Sequence, residues 1–154
     1  GDAGYLKDSH LYLTERIKDL FKTSNGKYIS PQALETKLAI DRYIDQIAVI
    51  ADERKFVSAL IVPVYGFVKD YAKEKGIAYS NMDELLQHPK IQALFRARID
   101  TLQQQFAHYE QVKRFTLLTE PFSMERGELT NTLKLKRSVV AKNYKGLIDK
   151  MYEE

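Results

Sequence analysis

The sequence predicts an α+β fold, with a small antiparallel sheet plus a β-hairpin flanked by helices, and three observations predict it. Two β-rich apolar runs, Ile47–Ile50 and Val57–Val62, stand on either side of the charged turn Asp52–Lys55, as a buried antiparallel pair would. After Pro89, residues Ile91, Leu94, Phe95, Ile99, Leu102 and Phe106 recur at the spacing of an amphipathic helix. Helix-like and strand-like segments also follow one another in mixed order, which separates this class from a regularly alternating α/β chain.

In chain order, residues 4–30 read as short strands and turns. Leu11-Tyr-Leu13 follows the polar turn Lys7–His10, and Ile17–Lys22 mixes charged with apolar residues as a half-exposed hairpin does. Ser24-Asn-Gly-Lys27 is a turn, because Asn-Gly tolerates positive φ. Ser30 and Pro31 supply a cap and a pre-set first turn for a short helix, with Leu34 and Leu38 at helical spacing to about Ile40. Phe67, Val68 and Tyr71 open a helix that stops at Gly76, and Asn81–Leu86 forms another short one. Val112–Leu118 reads as a strand, Met124–Gly127 as a turn, and Val140, Tyr144, Leu147, Ile148 and Met151 as the stripe of one final helix. There is no internal repeat, low-complexity segment or linker.

At 154 residues and 44% hydrophobic content, the chain is one domain able to bury a core. It has no cysteine, which excludes disulfides, thiolate zinc sites and cysteine nucleophiles and fits a reducing compartment, the cytoplasm by default. No run approaches the ~18 apolar residues of a membrane span, and the N-terminus lacks a signal-peptide pattern. With 24 basic and 21 acidic residues of alternating sign, the net charge is only +3, which argues against nucleic-acid binding. His10, His88 and His108 lack metal-ligand spacing and read as surface residues, so no metal site is expected. The ten tyrosines, Tyr43, Tyr71 and Tyr144 among them, read as core or interface residues rather than a base-stacking platform. Nucleophile elbows, Walker loops and dinucleotide fingerprints are absent from the sequence.

Two basic segments remain. Lys134, Lys136 and Arg137 follow Thr130-Asn-Thr-Leu133, and the plain reading is a strand end leading into a solvated basic helix start. Cations at a helix N-terminus oppose the macrodipole, so an anionic ligand is the functional alternative, and a lysine's compact ammonium on a long stem suits it. Ser24–Lys27 offers backbone N–H groups and a basic side chain, while Arg16, Lys18 and Asp19 read as a surface ion-pair set.

Three segments resemble motifs of the C-terminal small domain of the AMP-forming acyl-CoA synthetases. Gly1-Asp-Ala-Gly4 is similar to the end of a Thr-Gly-Asp-x-Gly motif, cut at its glycine as an excised chain would be. Thr14–Glu35 is similar to a Gly-Arg-x-Lys/Asp-Asp…Gly-x-x-Ile-x-Pro-x-x-Ile-Glu motif, and Thr132–Arg137 to the one carrying the catalytic lysine. Order and spacing agree over nearly the whole chain, and the Leu-Thr-Asn-Thr-Leu-Lys-Leu-Lys-Arg form and the long helical stretch from Gly66 to Ala107 are closer to the long-chain fatty acid branch than to acetate-type or peptide-synthetase relatives.

The resemblance implies that residues 1–154 are the mobile C-terminal lid of a fatty acid–CoA ligase, inactive without a large N-terminal domain. ATP and coenzyme A would be substrates, with Mg2+ held with ATP mainly by that other domain. A carboxylate would attack the α-phosphate of ATP to give acyl-adenylate and pyrophosphate, and coenzyme A would then displace AMP. By matched position, Lys134 is the catalytic residue of the first step, and Asp2 and Arg16 bind the nucleotide ribose. Lys18 is the hinge between half-reactions, and Thr23, Ser24, Asn25, Gly26 and Lys27 form a loop lining the coenzyme A channel. Glu15 stands in place of the family's glycine and Asn131 in place of a frequent proline. Two other readings stand beside this one: an adenylating enzyme that loads a carrier protein, and a non-enzymatic domain whose basic loops bind an anionic partner. Fatty acids partition into bilayers, so peripheral membrane contact is compatible with the full-length enzyme, although no strongly basic amphipathic stretch assigns it to this domain.

Overall fold

The computed structural model describes residues 20–24, 26–51 and 54–153. Asp2, Glu15, Arg16, Lys18 and Asn25, together with the strand readings before residue 20, lie outside the described residues.

The first described element is a hairpin. β1 (Phe21–Lys22) pairs antiparallel with β2 (Tyr28–Ile29). Thr23 closes the turn from both sides: its N–H donates to the Lys27 carbonyl at 2.8 Å, and its hydroxyl oxygen accepts from the Lys27 N–H at 3.2 Å. Gly26 sits at φ +83°, the left-handed region that the Asn-Gly sequence anticipates. Helix α1 (Pro31–Leu38) begins as the sequence predicts, with Pro31 in its first turn and the Ser30 hydroxyl accepting from the Ala33 N–H.

β3 (Ile44–Ile50) and β4 (Val57–Pro63) form the expected antiparallel pair, with Ile47 opposite Ile61 and Val49 opposite Ala59. All seven residues of β4 are buried, because this strand is central and both its faces are covered. β5 (Val112–Leu117) joins it on the other side in parallel, so the sheet, in the order β3-β4-β5, is mixed. The α+β class and the antiparallel pair stand as read. The direction of β5 could not be read locally, because parallel pairing requires a long crossover and is decided by the path the chain takes between β4 and β5. Three helices fill that path: α2 (Tyr65–Lys75), α3 (Met82–Gln87) and α4 (Pro89–Leu102).

Two cores follow from the period of two along the strands. Ile47 and Val49 join Ala59 and Ile61 in packing against α1 to α4, around Leu34, Val68, Leu86, Phe95 and Ile99. Ala48, Ile50, Leu60 and Val62 point the other way, onto Phe122, Val140, Ile148 and Met151. Tyr43 contacts Phe67, Tyr71 and Phe95 edge-on, in keeping with its core assignment.

Helix ends follow their sequence signals. Gly76 terminates α2 at φ +68°, and the Asn81 side chain caps α3 by accepting from the Glu84 N–H at 2.8 Å. His88, read as a surface histidine, caps α4 through Nδ1, which accepts from the Lys90 N–H. The apolar spacing runs to Phe106, but α4 ends at Leu102. Gln103, only 1% exposed, turns inward there: its Oε1 accepts from the Val112 N–H at 2.7 Å and its Nε2 donates to the Val112 carbonyl at 3.2 Å, steering the chain into β5.

The single final helix predicted from Val140 to Met151 is two helices, α5 (Arg137–Asn143) and α6 (Lys145–Met151). Tyr144 breaks it at φ −111°, and its ring stacks edge-on against Phe122 at 6.0 Å. The kink keeps Val140, Ile148 and Met151 buried but turns Leu147 out to 39% exposure, so Leu147 is not part of the core stripe.

Candidate functional site

Lys134 lies on a small hairpin before α5, not on the helix. An isolated antiparallel bridge between Leu129 and Leu135 closes its foot. Thr130–Leu133 is a β-turn, with the Leu133 N–H donating to the Thr130 carbonyl at 2.8 Å. Asn131 takes the second position of that turn, where a proline's fixed φ would also fit. Leu133 sits at φ +63°, the one non-glycine residue with positive φ among those described. Lys134 itself is exposed, and among the described residues no carboxylate pairs with it. Its charge is therefore available to a ligand.

Two polar anchors, one buried and one half-buried, hold the segment around Lys134. The first is Glu128, whose side chain is 0% exposed. It accepts from the Ser123 N–H at 3.0 Å, from Asn143 Nδ2 at 3.0 Å and from the Arg126 guanidinium, whose NH2 lies 3.0 Å away. Its backbone carbonyl accepts from the Lys136 N–H at 2.8 Å. Burial alone would raise the Glu128 pKa, but hydrogen bonds from Arg126, Asn143 and Ser123 outweigh it, and the carboxyl titrates below its ordinary 4.5.

The second anchor is Glu35 of α1. Its Oε1 pairs with Arg137 NH2 at 2.5 Å, and its Oε2 accepts from the Val49 N–H on the open edge of β3 at 2.8 Å. The Arg137 guanidinium lies 5.3 Å over the Phe21 ring. Arg137 is therefore not a solvated cation, as its neighbours Lys134 and Lys136 are, but a link between α5, α1 and β1. Burial pushes the Glu35 pKa up, against the opposing pull of Arg137 and the Val49 N–H. A carboxyl raised in this way favours the folded state below its ordinary 4.5, and that contribution is lost as pH rises through the folded value.

The turn predicted to line a ligand channel is formed by the described residues Thr23, Ser24, Gly26 and Lys27. The Ser24 N–H donates to the Arg54 carbonyl at 3.0 Å, and Lys27 Nζ lies 5.5 Å from the centre of the Tyr109 ring. The Glu35–Arg137 pair and the Phe21 ring beneath the guanidinium link the hairpin that carries this turn to the segment that carries Lys134.

The sequence alone assigns neither anchor a role. Glu128 and Asn143 are 15 residues apart, Glu35 and Arg137 102 apart, and no local pattern couples such pairs. Glu35 does close the second motif and Arg137 the third, the one signal that marked them. Among the described residues, no group of three or more His, Asp or Glu side chains is placed to hold a metal ion. Nor is any helix among them long and apolar enough to cross a membrane.

A family profile described as AMP-binding enzyme C-terminal domain matches residues 18–154. The chain is 34% identical over 158 residues to long chain acyl-CoA synthetase 7, peroxisomal, of Arabidopsis thaliana, an alignment covering 100% of this chain and 23% of that protein. It is 30% identical over 156 residues to a long-chain-fatty-acid–CoA ligase of Mycobacterium tuberculosis, covering 100% of this chain and 26% of that one. It thus spans about a quarter of the length of the curated relatives it matches. Among solved structures, the adenylation domain of a carboxylate reductase from Mycobacterium chelonae superposes with a TM-score of 0.72 at 23% identity, over 90% of this chain and 20% of that one. That likeness supports the fold.

Proposed function

Since the chain belongs to the family of AMP-binding enzyme C-terminal domains, we propose that it is the small domain of an AMP-forming long-chain fatty acid–CoA ligase, working with a large N-terminal domain that holds most of the substrate site. The observation that carries this reading is the exposed Lys134, without an ion pair among the described residues, on a hairpin anchored at its foot and at the motif position of the family's catalytic lysine. The names of the relatives aligned over the whole chain favour free coenzyme A as acceptor over a carrier protein.

In the first half-reaction a fatty acid carboxylate oxygen attacks the α-phosphorus of ATP, and pyrophosphate leaves. Negative charge builds on the α-phosphate oxygens, and the Lys134 ammonium is the group this chain supplies there. Asp2 and Arg16 are assigned to the ribose hydroxyls by motif position. Mg2+, bound with ATP mainly by the large domain, would offset phosphate charge. In the second half-reaction the coenzyme A thiolate attacks the acyl carbonyl and AMP leaves, with Thr23, Ser24, Asn25, Gly26 and Lys27 lining the approach of the thiol.

One site serves both steps if the domain rotates about Lys18, taking Lys134 away and bringing the turn in. Lys18→Pro restricts φ at that position and removes its N–H, so it is expected to slow thioester formation by about tenfold while adenylation stays measurable. Equal, wild-type rates for both steps would place the hinge elsewhere. The cysteine-free composition fits a cytoplasmic enzyme.

The direct test is to express the chain with its large domain and measure pyrophosphate release and acyl-CoA formation across carboxylic acids of increasing length. The expected result is ATP- and coenzyme A-dependent acyl-CoA formation that is strongest for long-chain acids. Pyrophosphate release without acyl-CoA would make the acceptor a carrier protein, and no release with any acid would remove the ligase reading.

A further inference from the structure

We propose that Thr130 is a positioning residue that fixes the backbone from which Lys134 reaches its anion, an inference that rests on the role of Lys134 proposed above. Thr130 holds both peptide groups of Lys134. Its N–H donates to the Lys134 carbonyl at 2.8 Å, and its hydroxyl oxygen accepts from the Lys134 N–H at 3.0 Å. With that oxygen occupied as acceptor, its own proton is free to point at Thr132 Oγ1, 3.1 Å away. The Thr130 carbonyl accepts from the Leu133 N–H, which holds Leu133 at φ +63°, a conformation that a leucine leaves unless its surroundings impose it.

Packing among the described residues does not impose that conformation. The Leu133 side chain is 66% exposed, and Lys134 is exposed beside it. Below the turn, the Leu129–Leu135 bridge and the Lys136–Glu128 backbone bond fix the foot of the hairpin but not its tip. Among the described residues, the hydrogen bonds of Thr130 are what set the direction in which the Lys134 side chain leaves the backbone. A lysine stem has four rotatable bonds, so its origin must be fixed if the ammonium is to sit at one phosphate. A misplacement of roughly 1 Å costs on the order of 100-fold in rate.

The test uses the full-length enzyme with Thr130→Val, Thr130→Ser and Lys134→Ala, each assayed for pyrophosphate release and for thioester formation from supplied acyl-adenylate. Valine keeps the shape and removes the hydroxyl, whereas serine restores it. Thr130→Val is expected to slow pyrophosphate release by about 10- to 100-fold, with the thioester step and the melting temperature close to wild type, and Thr130→Ser to recover most of the loss. If Lys134→Ala abolishes adenylation while Thr130→Val matches wild type, the reading of Lys134 stands and this inference is overturned. A Thr130→Val enzyme slowed equally in both steps, or a serine variant as slow as the valine one, would also overturn it, because a general structural role would then suffice. If Lys134→Ala adenylates normally, the reading of Lys134 fails, and the positioning role fails with it.

Discussion

Lys134→Ala is expected to lower pyrophosphate release by roughly 100- to 1,000-fold, the range found when one preorganised donor to a developing oxyanion is removed. Thioester formation from supplied acyl-adenylate should stay within about twofold, because on the proposed cycle the lysine has left the site by then. The domain is well suited to this comparison. Lys134 is exposed and makes no ion pair among the described residues, so its loss should change stability by no more than about 0.5 kcal/mol. A fall in activity can then be assigned to chemistry rather than to unfolding. Lys134→Arg is also expected to be slow, since a planar guanidinium does not place its charge at the same point as a compact ammonium. Equal losses in both half-reactions would refute a role confined to adenylation, and a fully active Lys134→Ala enzyme would remove the lysine from the mechanism.

Why the Lys134 hairpin was only half legible in the sequence is a matter of range. Signals that act within a few residues were read correctly: the Ser30-Pro31 helix start, the Gly76 stop, the Gly26 turn and the apolar strands Ile47–Ile50 and Val57–Val62. The sequence singles out Lys134, but its local pattern suits a strand end running into a helix. The Thr130–Leu133 turn that displaces it depends on a leucine at φ +63°, which no leucine propensity announces. The kink at Tyr144 has the same character. Its apolar spacing suits one helix, and the ring contact with Phe122, 22 positions earlier in the chain, accompanies the break. The parallel direction of β5 is set by three intervening helices, beyond the reach of any local pattern. The two carboxylates anchoring the segment, Glu35 and Glu128, were visible only as charged letters inside motifs. Their withdrawal from solvent, complete for Glu128 and partial for Glu35, is a property of the folded sheet and of α5, and it is what turns them from solvated charges into anchors.

Glu128→Ala is expected to destabilise the domain by about 2–4 kcal/mol, the largest loss predicted for a single polar side chain here. The carboxylate collects the Ser123 N–H, Asn143 Nδ2 and Arg126 in one buried place, and without it these donors face a cavity. The estimate sits below the full cost of breaking a buried ion pair because Arg126 is 41% exposed and can return to water. Glu128→Gln should lose part of this, since the amide keeps an acceptor for the Ser123 N–H but turns a donor toward Asn143. pH separates charge from shape. The folded carboxyl titrates below 4.5, so between the folded and unfolded values the unfolded chain binds more protons, and the stability Glu128 contributes is present above 4.5 and lost as pH falls through the folded value. Glu35 works in the opposite sense, so the total stability curve would blur the effect, whereas the difference between wild type and Glu128→Gln cancels Glu35 and isolates Glu128. Denaturant titrations of both proteins from neutral pH downward should give a gap that is constant above about pH 5 and closes below it. A gap unchanged to pH 3 would mean that Glu128 holds the foot of the Lys134 hairpin by its shape and hydrogen-bond count, and that its charge contributes nothing.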